Sequence, residues 1–144
     1  MKVLDKSELY FEEGVVWSRL GDHEKAIEFF DLALKHNPYF SESYYNKGVT
    51  LSHLGKYTEA IENFDTAIKY RADFPQAYCM KGIILGELEQ YKEAIRYFDI
   101  VIKDNPKNII AHYNKAIALD YLGKNEAAEQ VRNKIKKIVL KSKS

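Results

Sequence analysis

A chain of 144 residues, 46% apolar and 30% charged, is long enough for one domain that buries roughly two thirds of its unfolded surface. Its formal charge of +1 offers no broad attraction to a phosphate backbone, which argues against nucleic acid as the main partner. No apolar run approaches the ~18 residues of a membrane span. The opening stretch MKVLDKSELYFEE turns acidic before a secretory h-region can form, so the expectation is a cytoplasmic protein.

In chain order, apolar and small residues recur at steps of three and four, which is the signature of helix faces. The first helix pair, residues 7–40, runs through Tyr10, Gly14 and Trp17 to a turn at Gly21, then through Ala26, Phe30 and Ala33 to Asn37-Pro38. Proline disfavours the helical conformation of the residue before it and has no amide donor, so it ends that helix. The second pair, residues 41–74, repeats the scheme with Tyr44, Gly48, Leu51 and Gly55. Tyr57, Ala60, Ile61, Phe64, Ala67 and Ile68 follow, and Glu59, Glu62, Asn63 and Lys69 form the opposite, polar face. In the third, residues 75–108, Pro75 opens the helix. Tyr78, Gly82 and Leu85 follow, Glu89 replaces the turn glycine, and Ala94, Phe98 and Val101 lead to Asn105-Pro106. The fourth, residues 109–140, is looser: His112, Ala116, Leu119, Gly123, Ala128, Arg132 and Ile135 hold the marked positions.

Gly14, Gly48 and Gly82 stand 34 residues apart, and one further step of 34 reaches Ala116. This repeat, with its aromatic, glycine, alanine, phenylalanine and closing proline, resembles the tetratricopeptide repeat family over about residues 7 to 140. The resemblance implies an all-α fold: a right-handed α-α superhelix, or solenoid, of about four helix-turn-helix repeats, read here as a single domain over residues 1–144 with a degenerate, capping last repeat. One departure is shared by all copies. Glu13, Lys47, Lys81 and Lys115 stand where the family pattern often has leucine, and lysine stems can lie over apolar surface.

In this family the first helices line a concave groove, and that is where function is expected. Its candidate residues are Phe11, Glu12 and Val15 in the first copy and Tyr45, Asn46 and Val49 in the second. Met80 and Ile83 follow in the third, and Tyr113, Asn114 and Ile117 in the fourth. Together they join an apolar and aromatic strip to a rim with more acids than bases, which suits a neutral or basic peptide or helix of another protein. Asn46 and Asn114 occupy places where family members use an amide to grip a bound backbone. The clamp of lysine, arginine and asparagine that holds chaperone tails in part of the family is largely missing. Phe11, Val15, Tyr45, Val49, Gln76, Met80 and Ile110 stand where it would be needed.

No catalytic constellation, phosphate-binding loop or cofactor motif is visible. Cys79 has no second thiol to pair with and reads as a small groove or core residue. His23, His36, His53 and His112 never fall at the i, i+4 spacing of a helical metal site and are expected at the surface. RNA binding would require a basic groove, which the acidic rim opposes. Val139 and Leu140, on the outward side of the closing helix, have nothing after them to cover them, so association of copies through the C-terminal helix is a further expectation. The sequence therefore points to a non-enzymatic adaptor or scaffold that binds a partner in its groove. The alternative is a self-assembling structural repeat protein with no separate peptide ligand.

Overall fold

The computed structural model describes residues 2–144. Its elements are α1 (Lys6–Arg19), α2 (His23–His36), α3 (Ser41–His53), α4 (Tyr57–Tyr70), α5 (Pro75–Glu87), α6 (Tyr91–Asp104), α7 (Ile109–Tyr121) and α8 (Asn125–Ser142). No strand occurs among the described residues. The chain divides into two compact units, Met1–Ala77 and Tyr78–Ser144.

In the first unit, α1 opens on a capping box. The Asp5 carboxylate accepts the Glu8 amide at 3.0 Å, and the Glu8 side chain accepts the Asp5 amide at 3.1 Å. Two helix amides without intrahelical partners are satisfied in this way. The α1–α2 turn closes with the Asp22 amide donating to the Trp17 carbonyl at 3.0 Å, and the same bond joins Lys56 to Leu51 in the α3–α4 turn. Such a closure needs one left-handed residue, supplied by Gly21 at φ 84° and Gly55 at φ 73°. Helices α1 and α2, α3 and α4, and α2 and α3 pack on one another. Phe30 and Phe64 are fully buried at the centres of the two pairs.

Their rings lie where a glycine side chain would otherwise be. A Cβ on Gly14 would fall 2.6 Å from the Phe30 ring, and one on Gly48 would fall 2.8 Å from the Phe64 ring. The two helix axes approach until an aromatic face meets bare backbone, and this contact explains why glycine is accepted inside a helix despite costing about 1 kcal/mol in propensity.

The second unit uses the same devices with two changes. A Cβ on Gly82 would fall 2.6 Å from the Phe98 ring, and the α5–α6 turn closes with the Gln90 amide donating to the Leu85 carbonyl at 2.8 Å. Its left-handed residue is Glu89, at φ 60°, the one non-glycine with positive φ among the described residues. In the α7–α8 pair the small residue is Ala116 and the phenylalanine position holds Arg132, whose guanidinium pairs with Asp120 and Glu129. With no ring to admit, the chain tolerates a methyl group there. Ala116, Leu119, Ala128 and Val131 form the small core that remains.

Asn37 and Asn105 leave their helices in an extended conformation, φ −138° and −132°, as their following prolines require. Arg71 adopts φ −143° with no proline after it, so packing also holds this exit geometry. Pro75 opens α5.

The glycine contact and the open helix position at Gly86 have opposite consequences. Gly48→Ala should destabilise the fold by about 1 kcal/mol or more, because overpacking exceeds the helix-propensity gain. Gly86→Ala meets nothing within 4 Å and should be stabilising by up to about 1 kcal/mol. Urea unfolding of the two variants measures both; stabilisation by Gly48→Ala would refute the close-contact account.

Candidate binding surfaces

On α7, Ile110, Tyr113, Ile117 and Tyr121 follow one face, and all four are exposed, Ile110 to 64% and Tyr113 to 59%. Lined up along one helix, these side chains form a contiguous apolar stripe rather than scattered exposed residues. Beside it lies a cleft of about 340 Å³ whose walls include Ile83, Glu87, Glu89, Tyr91, Asn114, Ile117 and Tyr121. Tyr91 and Tyr121 stack face to face at 4.9 Å, forming an aromatic wall. Desolvation, followed by the charges of Glu89 and Glu87, pushes the Tyr91 hydroxyl above its ordinary pKa. Three of the expected groove residues, Ile83, Asn114 and Ile117, thus meet in one cleft with an acidic border, and Tyr113 lies on the adjoining stripe. Met80 is half-buried on α5.

In the first unit the expected residues have structural work of their own. Phe11 packs against Phe30 at 5.9 Å and Phe40 at 4.9 Å, and Tyr45 packs against Phe64 at 5.8 Å and Phe74 at 5.0 Å. Each is half-buried, clasped between the core ring of its own pair and an aromatic at the entry to the next first helix. Phe40 and Phe74 stand one period apart, a signal present in the sequence but readable only once their partners are seen. Val15 and Val49 are half-buried, and Glu12 is exposed. The Asn46 amide donates to the Glu42 carbonyl at 3.0 Å and the Asn114 amide to the Ile110 carbonyl at 2.9 Å. One donor of each is therefore turned back on its own helix, leaving the side-chain oxygen as an acceptor.

The lysines at the departing family position do more than cover apolar surface. Lys47 pairs with Asp31 at 2.7 Å and Lys115 with Asp99 at 2.6 Å, each bridging from a first helix to the second helix of the preceding pair. The surface expectation for histidines fails at His112. It is buried, 5% exposed, and its Nε2 bonds the Pro106 carbonyl at 2.8 Å. The Tyr44 hydroxyl donates to the Pro38 carbonyl at the same distance, so His112 replaces a tyrosine in a repeat-anchoring bond. His23 and His53 stack at 5.3 Å, and His36 stacks on Tyr10. Among the described residues no three His, Cys, Asp or Glu side chains come together as a metal site, and no helix is long and apolar enough to cross a membrane.

Cys79 lies in a core cluster with Val101 and Ala111, and burial raises its thiol pKa. In the third repeat, cysteine thus takes the place held by Phe11 and Tyr45, and Asn108 takes that of Phe40 and Phe74. Asn108 spends its side chain on capping α7, accepting the Ala111 amide at 3.0 Å.

Models of the tetratricopeptide repeat match residues 7–40, 29–62, 53–89 and 79–138. The chain belongs to the tetratricopeptide repeat family. Its fold is an all-α helical-repeat solenoid. Among solved tetratricopeptide proteins it is similar to MamA 41-end from Desulfovibrio magneticus RS-1, with 27% identity and a TM-score of 0.86 over 95% of this chain and 77% of that one. It is also similar to the first TPR of Spaghetti (RPAP3) bound to the HSP90 peptide SRMEEVD, with 20% identity and a TM-score of 0.79 over 82% of this chain and 94% of that one. The Arabidopsis OM64 TPR domain gives 23% identity and a TM-score of 0.77, covering 81% and 96%. For these last two the likeness is one of fold. No curated protein matches the sequence significantly.

The Cys79 environment has a measurable consequence. Its thiol keeps its proton past the ordinary pKa of 9.0, so the folded state binds more protons than the unfolded chain as alkaline pH is approached. This contribution to stability is intact below pH 9.0 and is lost as pH rises through the interval above it. At pH 8, a disulfide-exchange reagent should label the native protein at least about tenfold more slowly than the urea-unfolded chain. Equal rates would mean that the thiol is not in the core.

Proposed function

We propose that this chain is a non-enzymatic protein–protein interaction module that binds a peptide or helix of a partner along its first-helix faces. The observation that carries the reading is the exposed Ile110, Tyr113, Ile117 and Tyr121 stripe beside the cleft that holds Glu87, Glu89 and Asn114. Exposed aromatic and aliphatic side chains supply the desolvation that drives association, and the carboxylates select its charge. The free oxygen of Asn114 is placed to accept a backbone or side-chain N–H of the guest.

The preferred guest is a neutral or basic segment with apolar anchors. The RPAP3 neighbour holds an acidic peptide, SRMEEVD. The acidic border of this cleft would repel such a ligand, so the shared fold serves a different charge class here. In the first unit, Glu12, Val15, Asn46 and Val49 offer a surface of similar composition, with Phe11 and Tyr45 contributing only the parts left open by their packing.

The reading is tested on an arrayed library of random peptides probed with labelled protein. Retained peptides should be enriched in lysine or arginine next to aliphatic or aromatic residues. The Tyr113→Ala, Ile117→Asp double variant should bind them about tenfold or more weakly with its helical circular dichroism unchanged. Glu87→Lys should shift selection toward acidic peptides. Retention of the same peptides, with the same strength, by all three proteins would exclude the cleft as the binding site.

A further inference from the structure

Helix α1 leaves two large apolar side chains, Leu9 and Val16, exposed on one face. Position by position, Leu9 and Val16 of α1 correspond to Ser43 and Thr50 of α3 and to Ala111 and Ala118 of α7, one and three periods further on. Ser43 and Thr50 are 0% and 1% exposed in α3, which packs on α2, and Ala111 and Ala118 are 0% and 3% exposed in α7, which packs on α6. Leu9 and Val16 are 53% and 52% exposed. They line a largely apolar cleft of about 500 Å³ with Lys6, Tyr10, Glu12 and Glu13.

What covers the equivalent face inside the protein is visible in the second unit. Helix α6 presents Ile95, Asp99 and Ile102 to α7, at spacings of i, i+4 and i+7. Ile95 packs on the cluster containing Ala116 and Leu119, Ile102 packs on the one containing Ala111, and Asp99 pairs with Lys115. In α1 the residue at the position of Lys115 is Glu13, which makes no ion pair among the described residues. The apolar demand is unchanged but the charge is inverted.

We infer that this face of α1 receives one amphipathic helix of a partner protein, with apolar residues at i and i+7 and a lysine or arginine at i+4 facing Glu13. A second copy of the chain does not meet these terms. Its last helix carries Glu129, Asn133 and Lys136 where α6 carries the apolar pair and aspartate, and its α2 and α6 would bring Asp31 or Asp99 against Glu13. Two α1 helices crossing antiparallel with Leu9 opposite Val16 would set Glu12 of each against Glu13 of the other.

The test titrates the full chain with two stapled helical peptides that copy Tyr91–Asp104, one native and one carrying Asp99→Lys, read by fluorescence anisotropy. The lysine peptide should bind about tenfold more tightly than the native one, and Glu13→Lys should invert that order. Leu9→Ser with Val16→Ser should abolish binding of both while thermal unfolding stays within a few degrees of the parent, because both side chains are already half exposed. Ile117→Asp, in the α7 cleft, should leave this binding unchanged. Equal binding of the two peptides, or no binding of either, would overturn the inference. So would a concentration-dependent dimer in sedimentation that disappears with the Leu9→Ser, Val16→Ser double change, because the face would then belong to a second copy.

Discussion

A phenyl ring resting on bare backbone sets the spacing between helices in three of the four pairs. Phe30, Phe64 and Phe98 are buried almost completely, and each fills the volume that a side chain on Gly14, Gly48 or Gly82 would need. Everything else in a pair is arranged around that distance: alanines on the second helix at the crossing, and a left-handed turn tight enough to bring the first helix back. The last pair tests the logic from the other side. There the ring is gone, Arg132 turns toward Asp120 and Glu129, and alanine replaces glycine because no ring presses against that position.

Pairs are joined to their neighbours by a second set of contacts, more polar than the first. The Ser43 hydroxyl reaches the Phe30 carbonyl, Lys47 reaches Asp31, and the aromatic at the entry to each of the second and third first helices closes over Phe11 or Tyr45. Exposed ion pairs of this kind contribute little stability, about 0–1 kcal/mol each. Their value lies in register: a lysine and an aspartate repeated at one period favour the correct neighbour and penalise a shifted one. Glu13 breaks that series at the first helix, where it stands at the position that lysine holds in the other three.

This division of labour underlies the two surfaces we propose for partners. One is the face of a first helix that no neighbour needs, seen most clearly on α7, where the stripe from Ile110 to Tyr121 borders an acidic cleft. The other is the face of α1 that carries Leu9 and Val16, at positions equivalent to buried ones in α3 and α7. Both arise from a rule of repeats: internal faces are shaped by the next copy, and the remaining faces are released for recognition.

The 34-residue period, the helix pairs, the glycine–phenylalanine positions and the turn glycines were all legible in the sequence, because each is a local or strictly periodic requirement that must recur wherever the same packing recurs. The exposure of Tyr113 and Ile117 on α7 was legible for the same reason, as first-helix positions outside the packing face. What only tertiary structure decided were contacts between residues that periodicity treats as separate. Phe11 and Tyr45 are shared between groove and core, His112 is buried where a surface ring was expected, and the lysines at the departing position pair with aspartates sixteen residues earlier. A linear pattern shows which face a residue occupies; how far a neighbouring helix reaches across that face depends on three-dimensional packing, and that is what separated packed first-helix residues from exposed ones.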